Sequence, residues 1–162
     1  MKSFFTGFFL LLSMVFVSGQ LTMHKLLNVG YNYQTNSFGE IGGKLLFLEN
    51  DNLVYRVGAS ALLGSVNNQF AIIPKVQGDL LFNFEPQGKR DFDHSFYYIV
   101  GADFTTKYIA PKVGFNIFGI LDITGGYGFS IDKSGINGKE LKGANVNLSI
   151  NLPIPFIYDE FH

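Results

Sequence analysis

Histidine is the side chain best suited to metal binding or to general acid–base catalysis near neutral pH. The three histidines of this chain stand at positions 24, 94 and 162, and none lies at metal-ligand spacing from another. Because the chain has no cysteine, it offers no thiolate nucleophile, no thiolate metal site and no disulfide. The sequence therefore predicts no metal and no cofactor, and it argues against an enzyme.

Two other stretches contain residue types found in ion-binding sites. Residues 85–94 include Asp91, Asp93 and His94, but a lysine and an arginine are interleaved with these acids, which favours a solvated connection. Residues 125–128 (GGYG) have the glycines of a phosphate loop, yet they lie inside an alternating segment and no helix follows to supply a dipole. Neither stretch predicts a binding site.

The clearest pattern in the chain lies between Gly143 and Ile154. Apolar residues occupy every second position, and Asn, Ser and Gly fill most positions between them. A period of two is that of a β-strand with unlike faces. The same alternation recurs in seven earlier segments, which turn-forming residues separate. The predicted strands cover residues 27–34, 40–47, 53–63, 70–84, 96–105, 109–117, 121–131 and 143–154.

Eight such strands joined by short connections predict an all-β fold, an antiparallel up-and-down barrel. Two prolines oppose this assignment, because proline lacks the N–H that a ladder needs and a closed barrel has no edge strands. We place Pro74 near a rim of the barrel, and Pro111 presents the same difficulty in the sixth strand.

Charged side chains fall on one face of the predicted strands. The apolar faces contain no charge, whereas the opposite faces contain four acids and four bases: Glu40, Lys44, Arg56, Lys75, Asp79, Asp103, Lys112 and Asp122. An eight-stranded barrel is only wide enough for side chains, and glycines accompany the charges while most Phe, Ile and Leu occupy the other face. The charged face is therefore predicted to line a closed lumen, with Arg56 near Asp79 and Asp103 near Lys112.

The apolar face is predicted to contact lipid. Aromatic residues collect toward both ends of the strands, as in the two interfacial girdles of a transmembrane barrel. One group is Tyr33, Phe70, Phe104 and Phe129, and the other is Phe47, Tyr55, Phe84 and Phe96. An even number of strands places both termini on the same side, predicted to be periplasmic. The connections predicted to face outward are 35–38, 64–69, 106–107 and 132–140.

The N-terminal residues predict an export signal. Lys2 supplies a positive n-region, residues 4–17 an apolar h-region, and Val17-Ser18-Gly19 a small-residue cleavage site. The run is shorter than the ~20 apolar residues that a membrane-spanning helix needs. We therefore expect a signal peptide at 1–19 and one outer-membrane β-barrel domain at 20–162.

A signal ending in SGQ, eight alternating strands and the segment 111–129 (PKVGFNIFGILDITGGYGF) together resemble a known class of proteins. The chain is similar to the small outer-membrane β-barrel proteins of Bacteroidetes-type bacteria, with a porin-superfamily or OmpX-like architecture. This resemblance implies a location in the outer membrane of a Gram-negative cell, and it contains no catalytic motif. The common pattern of such barrels includes a terminal aromatic assembly signal. This chain departs from it because it ends in Phe161-His162 after an acidic tail.

The leading functional hypothesis is a non-enzymatic structural or interaction barrel of the outer membrane. The alternatives are a soluble exported barrel that binds an apolar ligand and a narrow channel. No histidine is predicted to reach the barrel wall, and the interior charges argue against an acyl-chain pocket. Expected partners are outer-membrane lipid, another envelope protein, or lipopolysaccharide. The lysines that flank the outward connections are Lys107, Lys133, Lys139 and Lys142. Near-balanced charge gives no case for nucleic acid.

Overall fold

The computed structural model describes residues 22–50, 53–83 and 96–154, which form eight β-strands closed into one barrel. Each strand pairs antiparallel with the next, and β8 pairs with β1. The predicted all-β, up-and-down architecture is confirmed. The strands are β1 Thr22–Gln34, β2 Asn36–Asn50, β3 Leu53–Val66, β4 Gln69–Asn83, β5 Phe96–Thr105, β6 Tyr108–Ile117, β7 Leu121–Ser130 and β8 Gly143–Pro153.

Several predictions concern residues outside the described ranges. The signal peptide at 1–19, the connection at 85–94, and the histidines at 94 and 162 all lie there. Within the described ranges no helix has the length and hydropathy needed to cross a membrane, a finding that concerns helices alone.

The two ends of the barrel differ. We call the end where β1 begins and β8 ends the terminus end, and the opposite end, to which residues 131–142 belong, the loop end. Strands β1 to β4 have 13 to 15 residues, whereas β5 to β8 have 10 or 11. At the loop end β4 extends past β5, whose ladder with β4 begins only at Lys75. The wall is therefore taller there on one side.

Two turns at the loop end are shorter than predicted. The turn expected at 35–38 is Thr35 alone, and the one expected at 64–69 is Asn67-Asn68, all with φ between 50° and 61°. Two successive positive φ values match the twist of paired strands, as in a type I′ hairpin. The flanking small and polar residues resemble loop residues in sequence, but they continue the ladders.

β1 also begins earlier than predicted, at Thr22 rather than at residue 27. His24 is therefore part of the barrel wall, opposite Leu46 of β2. The prediction that no histidine reaches the wall is wrong. The alternating pattern is hard to recognise in this segment because Leu26 and Leu27 place apolar side chains on both faces of the strand.

The two prolines occupy different positions in the wall. Pro74 pairs with Ala61 of β3 but lies one residue beyond the β4–β5 ladder, in the part of β4 that β5 does not reach. Its predicted placement near a rim is confirmed. Pro111 lies inside β6, where the β6–β7 ladder is interrupted although the register is the same on both sides. A local gap in the ladder, without a bulge, accommodates this proline.

Side chains alternate between the inside and the outside of the barrel along each strand. On β8, for example, Asn145, Asn147 and Ser149 are buried, whereas Val146 and Leu148 are exposed. The interior is not polar along its whole length, however. Apolar clusters occupy the loop end and the terminus end, and the charged residues lie between them.

Candidate functional site

The eight charged residues predicted to line the lumen form one connected network inside the barrel. Their side chains are buried, with residue exposures of 0 to 5%. Acids and bases alternate along a chain of ion pairs, with N–O distances of 2.6 to 3.0 Å except for 3.7 Å between Lys75 and Asp103. The order is Glu40, Lys75, Asp103, Lys112, Asp79, Arg56, Asp122 and Lys44.

Both ion pairs inferred from strand counting are present. Arg56 lies directly opposite Asp79 and donates to its Oδ2 from both Nε and Nη2, at 3.0 and 2.9 Å. Asp103 and Lys112 are diagonal neighbours on β5 and β6, with 2.6 Å between Nζ and Oδ1. Lys112 also contacts Asp79 at 3.0 Å, which links the two pairs.

Glu40 and Asp122 lie at or next to the two ends of this chain of ion pairs. Neutral side chains from β1, β3, β6 and β8 complete their hydrogen bonds. Glu40 accepts from Asn28, Ser60 and Asn147, at 2.6 to 3.0 Å. Asp122 accepts from two further amides, those of Asn116 and Asn151. A buried charge is tolerated only when it is paired and its remaining lone pairs are satisfied. The network is therefore a structural tie between strands, since its acids and bases face one another and not solvent.

Interior glycines give the network its space. A Cβ at Gly101 would collide with the Asp79 side chain and the Gly78 carbonyl. At Gly78, on the outer face of β4, a Cβ would meet open space, with no atom within 4 Å. Only the interior position requires a residue without a side chain.

Replacing Gly101 by alanine is expected to destabilise the barrel by ~1 to 3 kcal/mol, because the methyl group must displace Asp79 or the backbone beside it. The matched control is Gly78→Ala on the neighbouring strand, where the same methyl meets open space. Denaturant titration of both variants measures the difference. Equal stability of the two variants would contradict this account of the interior packing.

The loop end is closed by an apolar layer beneath residues 131–142. Leu141 from this connection is fully buried and packs with inward residues of β2, β3, β4 and β6. The other members of this cluster are Phe38, Leu62, Val66, Ala71, Ile73, Tyr108 and Ala110. These apolar side chains fill the interior of the barrel at this end.

Hydrogen bonds fix the connection 131–142 to the taller side of the wall. Its tip is a tight turn, Ile136 to Lys139, whose central Asn137 and Gly138 both have positive φ. The side-chain Nδ2 of Asn137 donates to the Val66 backbone carbonyl at 3.1 Å. The backbone carbonyl of Asn137 accepts from Asn67 Nδ2 at 2.8 Å. The predicted loop at 132–140 is thus an ordered cap.

A surface ion pair holds the base of this cap. Lys107 Nζ lies 2.6 Å from Asp132 Oδ2. The hydrogen bond from this ammonium, with further donors from Ser134, lowers the pKa of Asp132 to about 2. The carboxylate is therefore charged throughout the physiological pH range.

The terminus end contains an apolar cavity of about 380 Å³. Leu26, Leu46, Val54 and Leu81 contribute to its wall, and Arg56 lies among its lining residues, next to the charged network. The interior charges, which in the sequence argue against an acyl-chain pocket, occupy only the middle of the barrel and leave this end apolar. The sequence places these leucines and Val54 on the same face as the charged residues. Parity alone therefore does not show that they form a separate apolar region.

The remaining sequence candidates show no assembled chemical site. Within residues 22–50, 53–83 and 96–154, no group of three His, Cys, Asp or Glu side chains could hold a metal ion. Gly126 and Gly128 face inward, whereas Gly125 faces outward; all three lie within strand β7 and not in a phosphate loop. No protein-family model matches the chain, and no curated protein matches it.

Proposed function

We propose that this protein is a non-enzymatic integral β-barrel of the Gram-negative outer membrane, with a closed lumen and a structural or interaction role. The observation that carries the proposal is the outer surface of the barrel. Large apolar side chains are exposed on all eight strands, while the eight charges of the network lie inside; Lys25, near the terminus end of β1, is exposed. Such a surface is suited to hydrocarbon and not to water.

The size of the apolar surface supports this environment. Val113 in the middle of β6 is 62% exposed, and Ile72 on β4 is 59% exposed. Proteins that are monomeric in water rarely expose a continuous apolar patch of more than a few hundred Å². Here the patch runs around the whole barrel, so a soluble barrel would need the opposite arrangement of faces.

Aromatic side chains mark both edges of the proposed lipid-facing belt. At the terminus end the tilted rings of Tyr98 and Phe115 pack with centroids 5.3 Å apart, and at the loop end those of Tyr127 and Phe129 are 5.0 Å apart. Paired aromatic girdles are typical of barrels that span a bilayer. Among the predicted girdle residues, Phe84 lies outside the described residues.

The cap at the loop end is the proposed contact with partners outside the cell. Lys133 and Lys142 are exposed there, whereas Lys107 pairs with Asp132 and Lys139 donates to Asn36. The two exposed lysines are the positions proposed to meet the phosphates of lipopolysaccharide or an acidic envelope protein. Export by the predicted signal at 1–19 would deliver the barrel to this location.

Single tryptophans test the membrane assignment cleanly because the chain has none of its own. Val113→Trp places the reporter on the middle of the outer face, and Lys133→Trp places it on the exposed cap. In vesicles made with lipid brominated near the chain ends, fluorescence of the first should be strongly quenched and that of the second should not. Equal weak quenching, with protein that stays soluble without detergent, would support the soluble alternative.

The channel alternative makes a separate electrical prediction. Because the apolar layer under the cap and the paired charges fill the interior, the purified barrel in a planar bilayer should show no conductance. Discrete, reproducible current steps would reject the closed lumen. They would leave the membrane assignment intact, since a channel also requires a lipid-facing outer wall.

A further inference from the structure

The cavity at the terminus end has the size and lining of a small-molecule site. Its volume of about 380 Å³ lies within the ~300 to 1,000 Å³ range of ligand pockets. Inward leucines and a valine from β1 to β4 form part of the wall, and Leu152 of β8 also lines it. The turn of Phe118, Gly119 and Ile120, between β6 and β7, adds a further apolar segment.

Arg56, the one Lys, Arg, Asp or Glu among the described lining residues, has no unused charge to offer a ligand; His24 lines the cavity as well. Arg56 donates from Nε and Nη2 to Asp79, and from Nη1 to Asp122 at 3.1 Å. Two carboxylates already neutralise this guanidinium, and both belong to the network. An anionic head group would have to compete with them, so the cavity favours a neutral molecule.

Asn116 gives the cavity one specific polar requirement. It lines the cavity and is only 1% exposed. Its Nδ2 donates to Asp122 Oδ1 at 2.7 Å, which fixes the amide orientation because a carboxylate can only accept. Its Oδ1 has no hydrogen-bond partner among the described residues. Buried polar atoms are normally satisfied, so this acceptor calls for a hydroxyl or N–H donor.

In the turn beside the cavity, a phenylalanine has an unfavourable backbone conformation. Phe118 has φ of 55°, a region that glycine or asparagine adopts more readily than a bulky residue. The ring is half exposed and packs at a tilt against the outward-facing Phe96, with 5.6 Å between centroids. The turn itself does not require phenylalanine. Backbone strain of this kind collects at ligand sites, and Phe118 is among the residues that line the cavity.

We propose that this cavity binds a small, neutral, mainly apolar molecule that carries one hydroxyl or amine donor, with the donor bonded to Asn116 Oδ1. The apolar body would contact the leucines of the wall and the ring of Phe118. This site goes beyond the proposed function and is independent of it, because the cavity is inside the barrel whether lipid or water surrounds the outer face.

Methyl NMR of the full barrel, in lipid nanodiscs or in buffer if it proves soluble, separates binding in the cavity from dissolution in lipid. The probe is 2-naphthol, and 2-methoxynaphthalene is the matched analogue without a donor. We expect saturable shifts at Leu26, Leu46 and Leu81, and none that saturate at the outer Ile41 and Val113. Loss of one hydrogen bond should weaken binding of the analogue ~3- to 10-fold.

Two variants complete the test. Leu46→Trp fills the cavity and should abolish the saturable shifts. Phe118→Asn suits the positive φ of the turn, so it should leave the thermal midpoint unchanged or raised while weakening 2-naphthol binding several-fold. Shifts confined to the outer methyls, or no shifts, would overturn the site. Equal affinity for the two probes would overturn the role of Asn116, and unchanged affinity in Phe118→Asn would overturn that of the ring.

Discussion

Replacing Asp79 by alanine is expected to destabilise the barrel by ~3 to 5 kcal/mol, which is the cost of leaving a buried charge without its partner. Asp79 accepts both hydrogen bonds from one edge of the Arg56 guanidinium and also contacts Lys112. Its removal leaves the interior network with four bases and three acids. Chemical denaturation of the purified barrel in detergent or lipid measures the change.

The double variant gives the sharper result. Arg56→Ala alone leaves an excess acid, but Arg56→Ala with Asp79→Ala restores a neutral interior in which Asp122 keeps Lys44 and Lys112 keeps Asp103. The double change should therefore cost less than the sum of the single changes, by ~0.5 to 3 kcal/mol of coupling. Strict additivity would mean that water screens these charges independently. Lys107→Ala, at the exposed pair with Asp132, is the control and should cost ~0 to 1 kcal/mol.

Introducing arginine at Leu148 should cost ~2 to 4 kcal/mol if the outer face is buried in lipid as proposed, since Leu148 lies at the middle of β8. Its side chain is 45% exposed, and the residue lies opposite Tyr31 on the adjacent strand β1 and Ile123 on the adjacent strand β7. In water the same substitution at an exposed position would be nearly neutral. Refolding equilibria in lipid vesicles provide the measurement.

Depth and face supply the controls for this second experiment. Phe70→Arg is also on the outer face but lies near the loop-end rim, where an arginine should cost only ~0 to 1 kcal/mol. Asn147→Arg points inward beside Glu40, which its amide contacts, so its effect should arise from crowding and not from lipid. A harmless Leu148→Arg in lipid would mean that the outer face is not in the hydrocarbon core.

The sequence by itself determined the strand pattern and the two faces. A period of two is a local property, so parity assigned Glu40, Arg56 and Asp122 to one side without knowledge of their neighbours. The count of eight strands then implied an interior wide enough only for side chains, and the charges and glycines of one parity identified the face that lines it. Counting residues across the turn between β3 and β4 also paired Arg56 with Asp79, because partners in a hairpin are close in sequence.

Contacts between strands that are distant in sequence were decided only by the tertiary structure. Closure of β8 onto β1 lets Asn147 reach Glu40, and the barrel curvature brings Lys44 of β2 to Asp122 of β7. The burial of Leu141 beneath its own loop is likewise a product of the unequal strand heights. None of these contacts leaves a periodic trace in the chain.

In the layers of the interior, too, the sequence determined one property of each side chain and the tertiary structure decided another. Inward parity placed Leu46, Leu62 and Leu81 inside, but their height along the barrel depends on register and on where each turn closes. A strand specifies which way a side chain points, whereas the stagger between strands sets which side chains meet. The apolar layer at the loop end, the central charges and the cavity at the terminus end are therefore properties of the assembled barrel.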